Sequence, residues 1–67
     1  MLSARNQLKG TVKAVKLGTV MAEVVLTVGG VELVSVITRE SADRMKLKAG
    51  DSATAVIKST AVMVSKD

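Results

Sequence analysis

Val24-Val25-Leu26-Thr27-Val28-Gly29-Gly30-Val31-Glu32-Leu33-Val34 is the stretch on which the fold turns. Two valine-rich runs flank a pair of glycines. A two-residue hairpin demands positive φ at both central positions, and glycine takes it without steric cost, so the stretch predicts an antiparallel hairpin. Upstream, Val20, Ala22, Val24, Leu26 and Val28 share one face, with Met21, Glu23, Val25 and Thr27 on the other. Downstream, the strand from Val31 to Thr38 is apolar on both faces: Val31, Leu33 and Ile37 on one, Val34 and Val36 on the other. In so small a chain, such a strand needs its own core on one side and a neighbouring subunit on the other.

Outward from the hairpin the period of two continues. Leu8, Gly10, Val12 and Ala14 alternate with Lys9, Thr11 and Lys13, which predicts a half-buried first strand. Val15 to Thr19 reads as its end and a turn, with Gly18 free to take positive φ. Thr38 to Lys46 is the one helical candidate. Thr38 suits the N-cap, Glu40 the first turn and Lys46 the last, while Ala42 and Met45 face the core. Lys48-Ala49-Gly50-Asp51 is a turn. Ala53, Ala55 and Ile57 mark a fourth strand, and after Lys58-Ser59-Thr60 the run Ala61-Val62-Met63-Val64 predicts a fifth. Ser65 to Asp67 reads as a frayed tail. The expected fold is all-β: a five-stranded OB-like barrel with one short helix between strands 3 and 4, residues 1–67 forming one domain.

Composition narrows the function. A 67-residue chain buries too small a fraction of its surface to be comfortably stable, and such chains add disulfides, a structural metal or partner subunits. With no cysteine and no histidine, self-association is what remains. No run is long enough to span a membrane and no signal core opens the chain, so a cytoplasmic setting is expected. The net charge of +4 makes anions the natural partner class. Nucleic acid is disfavoured, because there is no Phe, Tyr or Trp on which to stack bases and the basic residues are scattered.

Catalysis is also disfavoured. There is no thiol nucleophile, imidazole base or ordinary zinc site, and no side-chain set at metal-ligand spacing. Lys58 and Ser59 are neighbours on an extended chain and point apart, which spoils a Ser–Lys pair.

Three clusters rich in donors remain: Ser3-Ala4-Arg5-Asn6, Thr38-Arg39-Glu40-Ser41 and Lys58-Ser59-Thr60. Each has a plain structural explanation, as a basic N-terminus, a helix cap and a link between strands. Together they suit a fully deprotonated tetrahedral oxyanion, which offers only acceptors. Arg5 supplies a forked cation, Lys58 a second charge, and Thr38, Ser41 and Ser59 hydroxyls. Phosphate, partly protonated near neutrality, would require an acceptor as well.

The same clusters carry a family resemblance. Ser3-Ala4-Arg5-Asn6-Gln7-Leu8-Lys9-Gly10 followed by Val12 resembles the SARNxxKG opening of Mop, or molbindin, domains. Val20-Met21-Ala22-Glu23-Val24 is similar to the family's next strand. Ala55 to Met63 resembles its closing AxxKSTxVM segment. The likeness spans essentially the whole chain and implies a free-standing cytoplasmic protein of molybdenum homeostasis. It would bind molybdate or tungstate between subunits of a homo-hexamer built as a trimer of dimers, without an organic cofactor. By position, Arg5, the backbone around Ser3 and Ala4, Lys58 and Ser59 would contact the oxyanion. Thr38 and Ser41 would reach it from a partner chain, and Asn6 belongs to the motif. Arg39 and Glu40 make the start of the helix more charged than the family pattern. A basic OB-type nucleic-acid module and a purely structural oligomerisation module are the other two readings.

Overall fold

The computed structural model describes residues 5–67; Ser3 and Ala4 lie outside the described residues. The elements are β1 (Asn6–Leu17), β2 (Met21–Val28), β3 (Val31–Thr38), α1 (Arg39–Met45) and β4 (Ser52–Ile57), followed by a short 3-10 turn over Ser59–Ala61. All strand pairs are antiparallel, in the order β3-β2-β1-β4. The hairpin forms as expected, with Val28 paired to Val31 and both Gly29 and Gly30 at positive φ.

Strand β1 serves two partners. Its first half, from Asn6 to Thr11, pairs with β4, and its second half, from Thr11 to Leu17, pairs with β2. A bulge at Lys13 separates the pairs Val12–Leu26 and Ala14–Val25. The extra residue resets the alternation. Val15, opposite Val24, therefore packs against the core with Val12, and Ala14 moves to the outward face with Val25. The simple alternation read from Leu8 to Ala14 stops at this bulge.

Val12, Val24 and Leu26 form the core, with Val15, Val28, Leu33, Ile37, Leu47, Ala53 and Ala55 packed around it. Ala22 and Ala42 are also buried, and among the described residues no polar side chain is. The turn after α1 closes over the bulged strand: the Val12 amide donates to the Asp51 carbonyl and the Gly50 amide to the Val12 carbonyl, both at 2.8 Å.

The barrel does not close. The structure is a four-stranded sheet with one helix, and β3 and β4 remain its edges. The expected fifth strand is absent because the 3-10 turn redirects the chain where a hairpin onto β4 was needed. The Ala61 amide donates to Lys58 and the Val62 amide to Ser59. Beyond it Met63 and Val64 are 94% and 93% exposed. Two local expectations are corrected as well. Gly18 is not at positive φ; a Cβ there would sit 2.8 Å from the Met21 carbonyl oxygen, so the position needs glycine for space. Met45, 56% exposed, lines the open groove without being buried, and Ala42 is the one buried side chain of α1.

Gly10 has the strictest requirement. A Cβ there would collide with the Thr27 carbonyl oxygen and lie 2.7 Å from Val28 Cγ2. Gly10→Ala must push β1 from β2, and is expected to destabilise the fold by roughly 1–3 kcal/mol, as overpacking generally does. Urea denaturation measures this; an unchanged midpoint would show that the strands separate freely.

Candidate oxyanion site

The β1–β4 ladder brings two of the three donor clusters together. Asn6 and Ile57 form the last rung of the ladder, and Arg5 and Lys58 are the residues that flank it outside the two strands. Arg5 and Lys58 are both exposed, and neither forms an ion pair among the described residues. Of the other eight cations three are paired: Lys13 with Glu32, Arg39 with Asp43 and Arg44 with Glu40. Arg5 and Lys58 together form a positive locus at one end of the sheet. Exposed Ser59 opens the 3-10 turn beside it, and Asn6, half-buried, belongs to the ladder itself.

The third cluster is elsewhere. Thr38 pairs with Met21, next to the Ala22–Leu17 pair at the far end of β1. The length of β1, on the order of 30 Å of strand, separates Thr38 and Ser41 from Arg5 and Lys58. The molecule's longest extent is 36 Å. One copy of the chain therefore does not gather all three clusters.

Thr38 caps α1 as expected: its hydroxyl oxygen accepts from the Ser41 amide at 3.1 Å. The Thr38 and Ser41 hydroxyls also bond each other at 2.8 Å, which leaves one of their two hydroxyl protons for a ligand. Glu40, which would repel an anion, is strongly exposed and lies 3.6 Å from Arg44. The charges of α1 thus pair off along the helix. Sequence reading missed the way Arg39 is used: Nη1 donates to the Gly18 carbonyl at 3.1 Å, across 21 positions of chain. No local pattern announces such a bond. No group of three or more potential metal-ligating side chains occurs among the described residues.

Removing the cap tests its structural share. Thr38→Val, which lacks the acceptor, should cost about 1 kcal/mol in chemical denaturation, and Thr38→Ser should cost much less. Equal losses in both variants would mean that the methyl group matters as much as the hydroxyl.

Comparison with known proteins identifies the family. The TOBE domain family matches residues 2–64. Molybdenum-pterin-binding protein 3 of Clostridium pasteurianum is 55% identical over 64 residues, 94% of each chain. A molybdate-binding protein from Sporomusa ovata superposes with a TM-score of 0.95 at 44% identity, over 98% of both chains. The cytoplasmic molybdate-binding protein ModG, with molybdate bound, gives a TM-score of 0.82 at 50% identity, over 85% of this chain and 41% of its own. On these grounds the chain belongs to the TOBE domain family, in its Mop (molbindin) branch.

Proposed function

We propose that this protein binds molybdate, or its close analogue tungstate, and holds it in the cytoplasm as a store or buffer of molybdenum, residues 1–67 acting as one Mop-type unit. The observation that carries the reading is that two cations without ion pairs, Arg5 and Lys58, flank the last rung of the β1–β4 ladder. A tetrahedral dianion seated between them gains two charge-assisted contacts. Support comes from relatives named for molybdate or molybdenum-pterin binding, among them the cytoplasmic ModG. The chain is a binding protein and not an enzyme.

The site takes residues from two copies. One supplies Arg5, Lys58, Ser59 and the backbone around Ser3 and Ala4, with Asn6 fixing the strand end. The other supplies Thr38 and Ser41. The separation of these clusters within one chain favours such an interface site.

The unpaired surfaces support association. Between the two edges lies an apolar groove of about 350 Å³, lined by Leu33, Ile37, Leu47, Ala55 and Ile57 among others. The apolar tail from Val62 to Val64 has no place in its own sheet and is suited to the groove of a second copy. On the outward face Val34 and Val36 are 63% and 61% exposed, beside Val25 and Ala14. Two different apolar surfaces on one chain favour an assembly larger than a dimer, for which we propose a hexamer arranged as a trimer of dimers.

Isothermal titration of the dialysed protein with molybdate, in excess sulfate and phosphate, tests the function. Uptake should survive both competitors. Arg5→Ala and Lys58→Ala should each lose most of it while keeping the wild-type circular dichroism spectrum. Normal binding by both variants would displace the site, and a folded wild-type oligomer giving no heat would leave only a structural module. Light scattering tests the assembly: Met63→Asp combined with Val64→Asp should lower the particle mass, whereas an unchanged mass would remove the tail from the contact.

A further inference from the structure

Seven residues make a short helix, and α1 buries a single side chain, Ala42. Helices of this length have little stability of their own, so tertiary ties must fix their orientation. Arg39 supplies two, and a bond within the helix holds its side chain in place. Its amide donates to the Val20 carbonyl at 2.7 Å, its Nη1 to the Gly18 carbonyl at 3.1 Å, and its Nε to Asp43 Oδ1 at 3.1 Å. Two of these acceptors lie in the β1–β2 turn and the third on the next turn of the helix.

The turn is itself a firm anchor. The Gly18 amide donates to the Met21 carbonyl at 2.8 Å, the contact that leaves no room for a Cβ at Gly18. Met21 is in turn the ladder partner of Thr38. Thr38 therefore sits between two fixed points, its own strand pairing and the braced residue that follows it.

We infer that Arg39 is a positioning residue of the oxyanion site: it locks the β1–β2 turn to the first turn of α1 and so aims the Thr38–Ser41 hydroxyl pair, without touching the anion. The inference rests on Thr38 and Ser41 forming half of that site. Nε and Nη1 are committed to Asp43 and Gly18. A planar fork meets two acceptors in different directions at a fixed angle. A lysine keeps the charge but brings one ammonium on a flexible stem, which cannot hold both.

The test compares the full-length wild type with Arg39→Lys, Arg39→Ala and Asp43→Asn. Each is titrated with molybdate and with sulfate, with particle mass and melting temperature measured alongside. Arg39→Lys should weaken molybdate about tenfold, the scale of one or two lost hydrogen bonds, and narrow the preference over sulfate, at unchanged particle mass. Asp43→Asn keeps the Gly18 contact and should weaken binding less. A merely structural role would move the melting temperature and leave the preference between anions alone. If Arg39→Lys matches a binding-competent wild type in affinity and preference, the positioning role is overturned, and charge alone accounts for any defect in Arg39→Ala. A wild type that takes up no molybdate removes the site, and this role with it; that result is read before any variant, so the two failures are distinct.

Discussion

The structure depends on how β1 divides its backbone hydrogen bonds. Twelve residues long, it gives its first half to β4 and its second to β2, so every other strand is placed by it directly or through β2. Strict alternation beyond Val12 would turn Ala14 inward and Val15 outward. The bulge at Lys13 solves this by resetting which side chains point in, and Val12 and Val15 both reach the core as a result. The amide and carbonyl of Val12 then turn to Asp51 and Gly50, which ties the loop after α1 to the bend.

That arrangement leaves little interior. Among the described residues five side chains are buried, three of them in the core cluster and two of them alanines, so each has a large share of the stability. Much of the apolar content is outside instead, along Val34 and Val36, in the open groove and on the tail beyond the 3-10 turn. Exposed edges and apolar faces of this kind are hazards for an isolated chain and natural joints in an assembly. With neither cysteine nor histidine, the chain has no internal staple to substitute for one.

Electrostatics separates the two halves of the proposed site. Within α1 both cations, Arg39 and Arg44, are spent on the helix's own acids and the β1–β2 turn, so its first turn offers hydroxyls and a fixed frame more than charge. At the other end of β1, Arg5 and Lys58 flank the last β1–β4 rung, and neither has an ion pair among the described residues. Charge from one end and neutral donors from the other would suit a small dianion, which gains most from cations and is oriented by hydroxyls.

The sequence by itself determined the local elements. Period-two runs marked all four strands, Gly29 and Gly30 the hairpin, and Thr38 the helix cap, because each depends on side chains close together along the chain. The donor clusters were legible too, since their chemistry lies in residue type, and their wording in Arg5-Asn6 and Lys58-Ser59-Thr60 pointed to the family. Tertiary structure alone decided the rest. Alternation cannot reveal a bulge, so Ala14 was assigned to the wrong face. An apolar run cannot say whether it has a partner within its own chain, so Ala61 to Val64 read as a fifth strand where a 3-10 turn leads out of the sheet. The placing of Thr38 and Ser41 at the opposite end from Arg5, and the bond from Arg39 to Gly18, depend on ladder register and on contacts between distant positions. Those are set by how strands pair and pack in space, which no short window of residues encodes.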